Sequence, residues 1–166
     1  MDGKEAIYKR YLEALRLKLI AKYDELGLRA SGKYADQLEG VTAPLKMIMM
    51  GAVHSGVMET GRAPGKFPPY NPQTGTFDEI SEWIETKQGL PAIFKEKKKQ
   101  FTFLIARKIA TEGIKVPGTH NAGKVISEVV ESFLGEDVDA MLKELGQYYF
   151  TRIRTDLLII FKQLTP

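Results

Sequence analysis

The amino-acid sequence predicts an α+β fold that is mostly helical, with a small antiparallel sheet or hairpin. Apolar residues recur at helical spacing near both ends of the chain, at about 4–28 and at about 136–163. A short apolar run at 45–50, directly after Pro44, indicates a strand. With 166 residues and 43% hydrophobic content the chain can build one core, so we expect a single domain over residues 1–166.

The first predicted element is a long N-terminal helix over about 4–28, which Gly27 can end. Residues 29–40 carry few large apolar side chains and are expected to form a loop. Residues 51–60 contain two glycines and fit either a second short strand or a helical turn. The apolar stripe of the helix consists of Ile7, Tyr8, Tyr11, Leu12, Leu15, Leu19, Tyr23 and Leu26.

A rigid loop is predicted at residues 61–76, because its first part reads Gly-Arg-Ala-Pro-Gly-Lys-Phe-Pro-Pro. Residues that precede proline are held extended, so Phe67 projects from a stiff backbone. Such a loop suits partner binding, with cations that can pair with carboxylates on a neighbour. Packing of Phe67 on the loop's own helix is the open alternative. The predicted partner-binding residues are Arg62, Lys66, Phe67, Pro68, Pro69 and Tyr70.

Three further helices are predicted after this loop. The first covers about 77–87, with Trp83 as a core anchor, and the second contains residues 101–110 and ends at Gly113. A second turn-rich loop at 113–122 follows, and its composition resembles that of the first loop. A helix over 123–133 is expected to end at Gly135, before the long C-terminal helix at 136–163.

The cationic residues favour two interpretations. The net charge of +3 is a mild excess, whereas a dedicated nucleic-acid binder has a denser basic face. The lysines before the helix at 101–110 either face DNA or form the solvent-exposed N-terminal end of that helix. Sequence-independent nucleic-acid binding is therefore the alternative function. These possible DNA-facing residues are Lys95, Lys97, Lys98 and Lys99.

The composition argues against several other classes of function. The chain has no cysteine, which removes disulfides, thiol catalysis and thiolate zinc sites. His54 and His120 lie far apart without metal-ligand spacing, so we expect a structural role for His54, a solvent-exposed His120 and no metal. Neither a phosphate-binding loop nor a nucleophile motif is present, so we expect no enzymatic activity and no cofactor. No apolar run approaches the ~20 residues that span a bilayer, so we expect a soluble protein that is not secreted and binds no membrane.

Four motifs follow one another along residues 61–115: the Gly61–Pro69 loop, Glu82-Trp83-Ile84, the Phe103–Ala110 segment and Glu112-Gly113-Ile114-Lys115. In this order they resemble the neck proteins of tailed bacteriophages, the head-to-tail connector or tail-completion family. The usual family member is shorter after the second glycine loop, whereas two helical segments follow here.

This resemblance implies a small structural virion protein without enzymatic activity. Its copies would form a homo-oligomeric ring in the neck, between the portal and connector proteins and the tail proteins. The genome DNA would pass through the channel of that ring. The implied location is the virion neck, and the host cytoplasm during assembly.

Overall fold

Helices dominate the structure, and one two-stranded antiparallel hairpin forms its β part, which confirms the predicted α+β class. The computed structural model describes residues 3–44, 46–52, 55–119 and 121–164, so His54 and His120 lie outside the described residues. In chain order the elements are α1 (Gly3–Glu25), α2 (Lys33–Asp36), β1 (Glu39–Ala43), β2 (Lys46–Met50), α3 (Ser55–Thr60), α4 (Asp78–Thr86), α5 (Ala92–Glu96), α6 (Lys98–Glu112), α7 (Ser127–Ser132), a π-helical turn (Phe133–Asp137) and α8 (Val138–Leu164).

Helix α1 contributes to two of the three core clusters, because its apolar stripe runs along its whole length. Near its C-terminal end, Leu19 and Tyr23 pack with Tyr34, Leu38 and side chains of α7. The rings of Tyr23 and Tyr34 are 4.5 Å apart, within the range of favourable aromatic pairs. Near its N-terminal end, α1 packs on α8, and the buried side chains there are Ile7, Tyr8, Met141 and Leu145.

The hairpin lies against α1, and glycine permits the close approach. In the hairpin Gly40 is opposite Met49, and a Cβ atom at Gly40 would lie 3.1 Å from the Cβ atom of Leu12. The expectation of a plain loop at 29–40 is therefore wrong at its end, where α2 and the start of β1 form. For 51–60 the structure decides in favour of a helical turn, since residues 55–60 form α3.

Helices α4, α5 and α6 surround the third core cluster. Ile84 of α4 and Ala106 of α6 are fully buried there, beside Phe77 and Ile80. The small side chain of Ala106 lets the two helices approach closely. Trp83 is 38% exposed, so the core anchor of α4 is Ile84 and not Trp83.

The C-terminal part of the chain is one continuous helical rod from residue 127 to residue 164. Gly135 lies in the π-helical turn, where the hydrogen-bonding pattern takes in an extra residue without a loop. The prediction that Gly135 separates two helices is therefore wrong. Three ion pairs attach the rod to α1, between Arg10 and Glu144, between Lys18 and Asp137, and between Lys22 and Glu128.

The carboxylate of Glu59 ties α3 to the start of α7. It accepts hydrogen bonds from the backbone N–H groups of Ile126 at 2.9 Å and Ser127 at 3.2 Å. Partial burial alone would raise the pKa of Glu59, but bonds from the Ser127 hydroxyl and from these N–H groups outweigh it, so the pKa is lowered. The ionised carboxylate of Glu59 therefore stabilises the fold.

The effect of Glu59→Gln on stability should depend on pH. Because the folded-state pKa lies below the unfolded value of about 4.3, the contribution of Glu59 is present at neutral pH and lost as pH falls through the folded-state pKa. We expect Glu59→Gln to cost roughly 1 kcal/mol at neutral pH, by urea unfolding, and the difference to shrink with acidification. A difference that is constant from neutral to acidic pH would contradict this assignment.

Candidate interaction site

The two Gly/Pro loops join to form one hydrogen-bonded unit. The backbone N–H of Arg62 donates to the carbonyl of Ile114 and the N–H of Ile114 donates back to the carbonyl of Arg62, both at 2.8 Å. A third bond of 2.8 Å runs from the N–H of Gly65 to the carbonyl of Ala110 at the end of α6. The first loop is thus held by backbone pairing as well as by its prolines, which makes it an ordered platform.

Glycine is required on both sides of this pairing. Gly61 and Gly113 have φ angles of 78° and 74°, a region that other residues rarely adopt. A Cβ atom at Gly61 would lie closer than 3.0 Å to the carbonyl oxygen of Ile114, and one at Gly113 would meet that of Arg62 in the same way. Backbone atoms cannot move aside as a flexible side chain can, so the two glycines define how the loops meet.

The guanidinium group of Arg62 braces the loop from inside. Its Nη2 atom donates to the carbonyl oxygens of Lys66 at 3.1 Å and Phe67 at 3.2 Å. These two hydrogen bonds hold residues 62–67 in a turn around the arginine side chain. They also fix the direction of the Phe67 side chain. The predicted pairing of Arg62 with a carboxylate on a neighbour stays a prediction, as does that of the exposed Lys66.

The far end of the first loop is closed by a turn that Asp78 holds. The N–H of Asn71 donates to the carbonyl of Thr76 at 2.9 Å. The carboxylate of Asp78 accepts from the Thr74 hydroxyl and from the Asn71 side-chain amide, and these two bonds lower the pKa of Asp78. The loop is therefore ordered at both ends.

Three exposed aromatic rings surround the buried ring of Phe77, and we call Phe67, Tyr70 and Phe103 the aromatic patch. Their ring centroids lie 6.1, 5.3 and 6.5 Å from that of Phe77, respectively. Each ring of the patch is 52–55% exposed, whereas Phe77 is only 6% exposed. Phe67 therefore packs on its own domain and still presents apolar surface to solvent, and its contact with a partner stays a prediction.

The patch includes Phe67 and Tyr70 of the six predicted partner-binding residues. Lys66, Pro69 and Tyr70 are exposed beside Phe67, whereas Pro68 is buried under the loop. Phe103 was not among the predicted residues, because its helix was judged only by its core face. The available signal was that Phe103 is apolar but lies off that face, which marks a contact other than the core.

The four possible DNA-facing lysines lie where α5 meets α6. Lys98 forms an ion pair with Glu85 of α4, which lowers the pKa of that carboxylate. Lys95, Lys97 and Lys99 are exposed. Lys98 thus takes part in the helix packing, and the predicted contact of the lysines with DNA stays a prediction.

Comparison with protein-family models, with curated proteins and with solved structures finds no match to this chain. Within the described ranges, no cluster of three or more histidine or acidic residues could hold a metal ion. The same part of the chain has no helix of the length and apolarity needed to cross a membrane. The features that bear on function are therefore the paired loops, the aromatic patch and the exposed lysines.

Proposed function

We propose that this chain is a structural subunit of the neck of a tailed bacteriophage. Its copies form a ring in the head-to-tail connector that joins the portal and connector to the tail around the DNA channel. The motif order along residues 61–115 supports the family assignment, and no catalytic step is part of the proposal. The exposed lysines Lys95, Lys97 and Lys99 are cations that such a subunit would turn toward the passing DNA.

The observation that carries the docking role is the aromatic patch on its braced loop. Aromatic side chains dominate the binding energy of protein interfaces, because they bury large areas with few rotatable bonds. The loop is already ordered by the Arg62–Ile114 pairing, so little conformational entropy is lost when a neighbour binds. We assign the patch to the contact with an adjoining connector or tail protein.

Imaging the source particle by cryo-electron microscopy tests the neck assignment. We expect a ring of this chain at the head-to-tail junction, with Phe67 buried against a neighbour. Mass spectrometry of purified virions should detect the chain in the same preparation. A junction fully explained by other chains, together with absence of this chain from virions, would reject the proposal.

Phe67→Ala should weaken binding to purified connector or tail assemblies without unfolding the protein. Because Phe67 is exposed at the centre of the proposed contact, we expect a loss of about 2 kcal/mol, which is roughly a 30-fold rise in Kd. Leu17→Ala is the control, since Leu17 is equally exposed but lies on α1. Equal Kd values for Phe67→Ala and the unaltered chain would exclude the patch as the docking surface.

A further inference from the structure

The C-terminal half of α8 extends beyond the packed body of the protein. Every described residue from 149 to 164 is exposed, and none belongs to the three core clusters of the described residues. Burial of apolar surface is the main stabilising term for a folded chain, so an apolar helix left in water indicates a missing partner. The exposed fractions run from 48% to 72% for Phe150, Ile153, Leu157, Ile160 and Leu164.

These five side chains form one stripe, which we call the α8 seam, whereas the equally exposed Leu158, Ile159 and Phe161 lie outside it. The seam residues are spaced alternately by three and four residues, the a and d positions of a heptad pattern. At 100° per residue the seam lies about 120° around the helix from the face that packs on α1 through Met141 and Leu145. The seam is therefore not a continuation of the intramolecular contact. Its geometry suits another helix with the same repeat.

The total accessible surface is consistent with a subunit that is completed by other chains. The chain exposes 11555 Å², whereas a compact monomer of 18.6 kDa exposes about 8,200 Å². The excess is roughly 3,400 Å² for a single chain, which is more than a transient encounter covers on both partners together.

We infer that residues 149–164 of α8 pack against the same segment of other copies of this chain, as a helical bundle. Every copy carries the same heptad stripe, so any two copies present complementary surfaces. Leucine at two of the a positions, Leu157 and Leu164, with isoleucine at the d positions favours more than two helices. Arg154 and Asp156 flank the seam on its two sides and give the contact a polar rim.

The inferred bundle links copies through α8 and is not itself the ring around the DNA channel, so the inference rests on the proposed function only for the role of the assembly. The contact itself needs only copies of this chain. The aromatic patch lies on the 61–76 loop and α6, so docking to other virion proteins and contact between copies use separate surfaces. The two can therefore be disrupted independently.

Sedimentation equilibrium of the full chain tests the contact. We expect a mass of at least about three times 18.6 kDa for the unaltered chain, and 18.6 kDa for Leu157→Glu, because the charge would lie inside the bundle. Thr155→Glu introduces the same charge on the opposite face of α8 and should keep the larger mass. Circular dichroism shows whether each variant remains folded. A monomeric unaltered chain, or equal masses for the chain and Leu157→Glu, would overturn the inference.

Cysteine crosslinking gives a second, independent test, since the chain contains no cysteine of its own. Under a mild oxidant Leu157→Cys should form disulfide-linked copies, and Thr155→Cys should form few. Equal crosslinking of both variants would contradict the seam.

Three further outcomes separate the explanations. If the chain stays monomeric and binds vesicles of phosphatidylcholine and phosphatidylglycerol through Leu157, the seam is a lipid-binding face and the inference fails. If the chain oligomerises through the seam but is absent from virions, the neck proposal fails and the contact stands. If Leu157→Glu chains still build the neck ring in virions, the contact fails and the neck proposal stands.

Discussion

Gly61→Ala is expected to lower the free energy of unfolding by at least about 3 kcal/mol, because two penalties act together. The φ angle of 78° is strained for alanine, and the new Cβ atom would press on the carbonyl oxygen of Ile114. Relief of that contact requires separation of the Arg62–Ile114 backbone pair, which holds the two loops together. Gly113→Ala should act in the same way from the other side. Urea unfolding measures both.

A glycine in an ordinary helical conformation provides the control. Gly146 lies within α8 with no other atom near its potential Cβ position, so Gly146→Ala should raise stability by up to about 1 kcal/mol. The double variant of Gly61 and Gly113 should cost less than the sum of the single variants, since both break the same pairing. An unfolding free energy for Gly61→Ala within about 1 kcal/mol of the unaltered chain would contradict the loop arrangement.

The same variants connect the loop unit to the proposed docking surface. If the paired loops preorganise Phe67, weakening the pairing makes the chain lose more entropy on binding. Gly61→Ala should then reduce affinity for the connector or tail assemblies even where the rest of the domain is folded. Phe67→Ala removes the contact itself and leaves the pairing intact. Comparison of the affinities of Gly61→Ala and Phe67→Ala separates the effect of a less ordered loop from the effect of losing the Phe67 side chain.

Hydrophobic periodicity predicted the long helices well, because each helix is long enough for its apolar stripe to be recognised despite single residues that break the pattern. The N-terminal helix over about 4–28 and the C-terminal helix over 136–163 correspond to α1 and α8 within a few residues. The strand after Pro44 is also present, as β2. β1 was not located from the sequence, because Glu39 and Gly40 carry no strand signal and pair only through the register with β2.

Contacts between distant residues could not be predicted from one sequence. The loops at 61–76 and 113–122 resembled each other in composition, yet nothing in that composition showed that Arg62 pairs with Ile114. For the same reason two of the three rings of the aromatic patch were predicted and Phe103 was not, since Phe103 reaches Phe77 only after α4 and α6 pack. In α6 the fully buried residues are Thr102 and Ala106, whereas Leu104 is exposed. Close helix packing favours small side chains, which a hydrophobic stripe does not reveal.

Ile84→Ala is expected to lower the free energy of unfolding by about 3 kcal/mol, the second largest effect we expect. Ile84 is fully buried between α4 and α6, next to the equally buried Ala106, so truncation leaves a cavity that rigid neighbours cannot fill. Ile93→Ala removes the same atoms from α5, where the side chain is 38% exposed, and should cost less than half as much. Equal losses in urea unfolding would mean that Ile84 does not anchor this cluster. Because the 61–76 loop leads directly into α4, a real loss at Ile84 would also loosen the base on which the aromatic patch rests.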